Sequence, residues 1–308
     1  MAMLPMMRAG RPLRSLAGAR RHMSFVPSWA TIDPYTMSAA SPAVGKNLCG
    51  GVWSDAKATH TVIDPLNGDP YCKVPDTKVD EIGPFVERMA NCPRTGLHNP
   101  IRNVERYNML GEVMAKASRE LAKPEVNEYF AKLIQRLVPK SWAQCAGEPT
   151  VTRKWMESYS CDQVRYLARS FGIPGDHAGQ TSTGIRMPFG GVSVITPFNF
   201  PLEICALQTC SALFMGNQPT VKVDWKVAIC MEQFIRMLHH VGLVCVSAAA
   251  RALLGRCSAA RALAYLGLPL PLTASLPRSH MHSRRPTSTS STATDQSSIS
   301  WSSMATVA

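Results

Sequence analysis

None of the ten cysteines in this 308-residue chain stands in a CxxC pair. Cys49, Cys72, Cys92, Cys145, Cys161, Cys205, Cys210, Cys230, Cys245 and Cys257 are scattered through strand and helix patterns. That spacing argues against a zinc site, so no metal is expected. It reads instead as small buried residues in a reducing compartment. No apolar run is long enough to cross a bilayer. The best, residues 243–276, is broken by Arg251, Arg256 and Arg261, so no membrane association is expected. There is no GxGxxG motif and no internal repeat. Acid is missing from both ends: residues 1–32 carry five Arg and no acid, and residues 247–308 carry six Arg and one Asp. Those ends account for +10 of the net +12, and residues 33–246 hold 22 basic and 20 acidic residues. A basic excess confined to the termini is not a binding face, which argues against nucleic acid as a partner.

What is there is organised around residues 187–243. Residues 192–196 are an apolar, β-branched strand. Pro197, Phe198, Asn199, Phe200 and Pro201 break it. Asn199 is suited to capping a helix, with Pro201 in the first turn. Residues 202–214 are apolar almost all round and predict a buried helix. Gly216 and Asn217 end it. Residues 220–223 are a second strand. Asp224 then caps a helix with Val227, Met231, Phe234, Ile235 and Leu238 on one face. That helix is expected to stop at His239 and His240, with Gly242 beyond. Strand–helix–strand–helix with short turns predicts parallel strands in an α/β fold.

Ahead of this stretch, residues 1–23 carry Arg8, Arg11, Arg14, Arg20 and Arg21 among Met, Leu and Ala, the composition of a mitochondrial transit peptide cleaved near 21–25. Residues 24–46 read as an extended arm. Short strands are expected at 47–53, 59–64 and 71–74, the last two joined by the turn at 64–68. Helices are expected at 79–92 (Ile82, Phe85, Val86 and Met89 inward), 104–121, 126–138 and 150–171, with breaks at Pro139 and at 147–149. Residues 171–183 read as a Gly-rich loop.

The runs Ile-Thr-Pro-Phe-Asn-Phe-Pro at 195–201, Ala-Leu-Phe-Met-Gly-Asn at 212–217 and Val-Lys-Val-Asp at 221–224 resemble the cofactor-binding half of the aldehyde dehydrogenase family. Ser-Phe-Gly-Ile-Pro-Gly at 170–175, Met-Glu-Gln-Phe at 231–234 and Tyr-Thr-Met-Ser-Ala-Ala-Ser at 35–41 resemble one branch of it, the plant-type mitochondrial delta-1-pyrroline-5-carboxylate dehydrogenases. The resemblance covers about residues 23–243. It implies an aldehyde-dehydrogenase-like α/β fold, a parallel nucleotide-binding sheet (incomplete here) preceded by helices and short strands. It also implies oxidation of glutamate semialdehyde, the open form of pyrroline-5-carboxylate, to glutamate with NAD in the mitochondrial matrix, the second step of proline breakdown. The family homo-oligomerises, in part through the strand arm that would lie at 183–188.

Such chemistry needs a thiolate, donors for the oxyanion, a nicotinamide to take the hydride, and a carboxylate to activate water. By resemblance Asn199 is the oxyanion donor, although the residues alone leave a plain helix cap equally open. Ile195, Thr196, Pro197, Phe198, Lys222 and Asp224 are the cofactor-binding candidates, at the carboxyl ends of the strands where open α/β sheets bind ligands. Lys222 is implied to contact the adenosine ribose. Two departures stand beside it: Trp225 where the family often has a small or acidic residue, and Val223 where Pro is common. The nucleophile sits in a Gly-Gln-x-Cys-type motif in the family, and no cysteine here has that context. Gln144-Cys145-Ala146 is an echo only.

Three segments result: 1–23, transit peptide; 24–243, partial NAD-binding domain; 244–308, a Ser/Thr-rich, low-complexity tail expected to be disordered, read as the product of a frame change or retained intron. The chain is therefore expected to be inactive by itself. Two other readings remain: a catalytically inactive, truncated module that pairs with a full-length homologue, and a basic interaction protein acting through the tail.

Overall fold

A computed structural model describes residues 25–97, 104–161, 163, 171–253 and 304–306. The proposed transit peptide and its cleavage site lie outside the described residues, as does most of the tail.

The arm at 24–46 is not a loose lead-in. Trp29, Ile32 and Met37 are buried. The Trp29 ring lies 5.7 Å from Phe130, stacked, and 5.6 Å from Tyr129, edge on. The Tyr129 hydroxyl donates to the Ile32 carbonyl at 2.9 Å, and Thr31 N–H donates to Gln233 Oε1 at 2.9 Å. An arm with three large apolar side chains is better off packed than solvated. It ends in β1 (Ala43–Val44), parallel to β5.

The single strand expected at 47–53 is a hairpin, β2 (Asn47–Cys49) and β3 (Val52–Ser54). Gly50 and Gly51 turn it with φ of 59° and 78°, a left-handed geometry open to glycine. β4 (Thr59–Ile63) and β5 (Pro70–Pro75) form the expected antiparallel pair. Their turn closes as its chemistry predicts, with Asp64 Oδ1 accepting Leu66 N–H at 2.9 Å.

The helix expected at 79–92 is split. A 3-10 turn (Val79–Glu81) precedes α1 (Gly83–Ala90), because Pro84 restarts the helix at its first turn. Phe85 is buried, but Val86 is 46% exposed, so the inward face is narrower than expected. α2 (Val104–Ala122) and α3 (Pro124–Leu137) lie where expected. α4 (Trp142–Glu157) replaces the helix expected at 150–171. It starts eight residues early because Ser141 and Gln144 form a capping box, and it carries Pro149 inside. The stretch after 171, read as a loop, is a hairpin of β6 (Phe171–Pro174) and β7 (Thr181–Gly184). Backbone pairing wins there over glycine content, with Gly175 N–H donating to Gln180 O at 2.8 Å at the turn.

The organising stretch keeps the expected order of strand, helix, strand and helix. β8 (Gly191–Ile195) runs parallel to β9 (Gln218–Lys222), with α5 (Glu203–Phe214) between them and α6 (Ala228–Leu253) after. α6 does not stop at His240. One glycine inside a helix costs only about 1 kcal/mol, and good helix formers such as Ala248, Ala249 and Ala250 follow. The boundary drawn at 243 thus falls within α6. From the tail, β10 (Met304–Thr306) lies antiparallel to β9 and parallel to β2. The main sheet is ordered β3-β2-β10-β9-β8, and β1-β5-β4 form a second. The fold is α/β, and in the main sheet β8–β9 and β2–β10 are the parallel pairs.

Candidate functional site

The carboxyl ends of β8 and β9 meet at one place. Ile195 stands opposite Lys222 in the parallel register. Thr196 N–H donates to the Lys222 carbonyl at 3.1 Å, which carries the ladder one residue past the strand. Thr196 is buried, Lys222 half-buried, and Ile195 is 68% exposed. Beyond them Pro197 and Phe198 turn away from the sheet, and the Lys226 ammonium lies 5.1 Å from the Phe198 ring centroid. Asp224 accepts Lys226 N–H at 3.0 Å through Oδ1 and Val227 N–H at 3.1 Å through its carbonyl. It therefore shapes the turn before α6 and is not the cap expected of it, because the helix begins only at Ala228. Ile195, Thr196, Lys222 and Asp224 thus lie at one end of the β8–β9 pair, with Pro197 and Phe198 following Thr196. The Trp225 ring lies 4.1 Å from His60, and the same Lys226 ammonium lies 4.9 Å from its centroid.

Asn199 is not the helix cap either. α5 begins at Glu203, with Leu202 in the cap position and no side-chain cap bond. Asn199 is exposed, and among the described residues its amide has no partner. The loop is held instead by residues the sequence did not single out. Glu148, on α4, is 2% exposed. Its Oε2 accepts Leu202 N–H at 3.2 Å and Glu203 N–H at 3.5 Å. Its Oε1 takes the Lys140 ammonium at 2.8 Å, and that ammonium lies 4.0 Å from the Phe200 ring centroid. Burial pushes the neighbouring Glu203 carboxyl above its ordinary value; the Glu148 charge adds to this and Lys140 opposes it. The Gly-Glu-Pro at 147–149 looks like a helix break, which hid Glu148.

The cysteines nearest this site are not poised to attack. Cys145 is wholly buried; burial chiefly, then the Glu148 charge, pushes its thiol up, with Lys140 and Lys132 opposing. Cys205, in α5, is pushed up to about 12, mainly by burial and against the Thr196 hydroxyl beside it. Burial alone pushes Cys210 up to about 12. A nucleophilic thiol needs the opposite environment, an exposed and electropositive one.

Residues 53–244 match the aldehyde dehydrogenase family. The chain belongs to this family of oxidoreductases. It is 53% identical over 225 residues to a probable aldehyde dehydrogenase of Linum usitatissimum, covering 73% of this chain and 41% of that protein. It is 52% identical over 217 residues to delta-1-pyrroline-5-carboxylate dehydrogenase 12A1, mitochondrial, of Arabidopsis thaliana, covering 70% of this chain and 39% of that protein. Among solved structures, an NADP-dependent glyceraldehyde-3-phosphate dehydrogenase from Bacillus halodurans C-125, complexed with NADP, superposes with a TM-score of 0.52 at 20% identity, covering 65% of this chain and 41% of that one. That likeness shows the fold. The chain spans about two fifths of the length of the curated relatives it matches, 41% and 39%. In open α/β sheets ligands bind outside the carboxyl ends of the strands. At that end of the β8–β9 pair the half-buried Lys222 stands opposite the exposed Ile195.

Proposed function

We propose that this chain supplies the cofactor-binding part, and the oxyanion donor Asn199, of a mitochondrial enzyme that oxidises glutamate semialdehyde to glutamate with NAD in proline breakdown. The observation that carries the reading is the grouping of Ile195, Thr196, Pro197, Phe198 and Lys222 at the joined carboxyl ends of β8 and β9, followed by the exposed Asn199, whose amide has no partner among the described residues. The 52% identity to the Arabidopsis enzyme supports the substrate and the compartment. The cofactor, when bound, accepts hydride. Lys222 would hold its adenosine ribose, Ile195 and Phe198 would line its apolar side, and Asn199 would donate to the substrate oxyanion. One such donor is typically worth about 3 kcal/mol to a transition state.

Cys145, Cys205 and Cys210 are buried, and no cysteine of this sequence stands in the family's Gly-Gln-x-Cys-type context, so the chain alone should not turn over aldehyde. Calorimetric titration is expected to give weak saturable NAD binding, weakened roughly tenfold or more in Lys222→Met, about the worth of one hydrogen bond to a charged group. Tighter NADP than NAD binding, no binding at all, or aldehyde oxidation by the isolated chain would each overturn the reading. A second reading, a module that pairs with a full-length homologue, is favoured by the exposed Phe171 (62%) and Ile173 (54%) on the β6–β7 hairpin. Co-purification with such a homologue tests it.

A further inference from the structure

Helix α5 begins without a cap of its own. The first turn of any helix leaves backbone N–H groups with no carbonyl partner. Here Leu202 holds the cap position and has no side chain able to accept, and Pro201 before it has no N–H. The acceptor comes from Glu148, 54 residues away from Leu202 in sequence. A carboxylate taken out of water is tolerated when it is paired and its lone pairs are used. Glu148 meets both conditions, with Lys140 on Oε1 and two α5 amides on Oε2. A negative charge at a helix N-terminus also meets the positive end of the helix dipole. The Lys140 ammonium does a second thing, because it sits over the Phe200 ring. One ion pair thus grips the loop at residues 200, 202 and 203, directly after Asn199. On the other side of Asn199, Phe198 lies under Lys226.

We propose that Lys140 and Glu148 are positioning residues for the Asn199 loop, fixing where α5 begins and how Phe200 lies, so that Asn199 is held in one place beyond the carboxyl end of β8. The proposal rests on the oxyanion-donor reading of Asn199 and concerns only how that donor is held. It also gives α4 a role at the site, because the packing of α4 against α3 sets the geometry of the loop through one buried pair.

Hydrogen exchange by mass spectrometry on the full chain tests this without cofactor or substrate. In Glu148→Gln, a peptide spanning residues 197–206 should exchange roughly tenfold or more faster, since a charge-assisted bond to the first turn is weakened. A peptide from α3 should be unchanged. Lys140→Met should show the same local loosening, and Lys140→Arg, which keeps a cation over Phe200, should restore protection. Unchanged exchange at 197–206 in either loss variant overturns the proposal. So does loosening that spreads equally to α3, or a failure of both loss variants to fold, because the pair would then hold the whole molecule and not the loop. The outcomes separate from the cofactor reading. Local loosening with no NAD binding in the parent chain leaves the clamp standing and removes the cofactor; NAD binding with no loosening does the reverse.

Discussion

At the scale of single residues, His239 and Arg136 show how burial decides charge. The sequence places His239 at a helix end, where a cation is favoured. Because α6 runs on, it lies within the helix, largely buried and 6.1 Å from the Trp53 ring. Burial, aided by the Arg236 charge, lowers its pKa to about 4. The folded chain thus keeps His239 neutral down to that value, whereas the unfolded chain protonates near 6.5. A depressed folded pKa means that stability is present above 6.5 and is lost as pH falls toward 4. The contribution should amount to about 2 kcal/mol between pH 7 and pH 5. Urea unfolding of the parent and of His239→Gln at both pH values measures it, since the carboxylates cancel in the difference. A difference that does not change with pH would mean that His239 titrates in the fold as it does in the unfolded chain. Arg136 is the opposite case. It donates to Asp64 at 2.9 Å and to the Met37 carbonyl at 3.0 Å, and Asp64 is 2% exposed. Arg136→Met leaves a buried carboxylate without its cation and should cost about 3–5 kcal/mol in denaturant melts. Adding Asp64→Asn to it should recover much of that loss; no recovery would mean that the loss came from packing over Tyr71.

At the scale of elements, α4 carries the most informative conflict. Pro149 sits mid-helix and buried, where it removes a backbone donor. Beside it two hydroxyls donate back into the helix, Thr150 to the Ala146 carbonyl at 3.0 Å and Thr152 to the Glu148 carbonyl at 2.8 Å, while the carbonyl the proline leaves without its helical donor is that of Cys145. Pro149→Ala should raise stability by about 1–3 kcal/mol, the interior proline penalty less the lost buried methylenes. An unchanged or lower melting midpoint would show that the ring's packing outweighs the missing bond. The same helix shows what could be read in advance. Period and break residues placed α2, α3, α5, β8 and β9, because those signals are local, although the cap expected for α5 at Asn199 was not the one used. The start of α4 was legible in Ser141 and Gln144 but was masked by a proline that long-range packing overrides. The β6–β7 hairpin was missed because its support is backbone pairing, which glycine content conceals. At the site, Ile195, Lys222 and Asp224 were legible from strand ends and motif. Glu148 was not, since nothing local to residues 147–149 reveals that the first turn of α5, more than fifty residues on, lacks a cap of its own.

At the scale of the whole molecule, the sheet is protected on one side of the organising pair and open on the other. β10 covers the far edge of β9 and joins it to β2. Among the described residues β8 pairs only with β9. Its other edge offers unpaired backbone groups, and apolar side chains flank it: Ile195 is 68% exposed, Phe198 51% and Phe189 87%. A strand edge of this kind is a template for another chain, and apolar surface beside it adds a driving force of roughly 25 cal/mol per Å² buried. A basic net charge of +12 opposes association, but residues 33–246 carry only +2 of it, and repulsion between exposed charges is screened beyond about 8 Å in physiological salt. Attraction at the edge should therefore win. Sedimentation velocity is expected to show association that grows with protein concentration and persists in high salt. The double substitution Phe189→Lys and Ile195→Lys places two cations at the edge and should shift the population toward monomer without changing the melting midpoint. A monomeric parent chain across the concentration range would show that the β8 edge is covered by part of the same chain. A parent that associates equally with both lysines in place would move the contact elsewhere, to the exposed Phe171 and Ile173 of the β6–β7 hairpin.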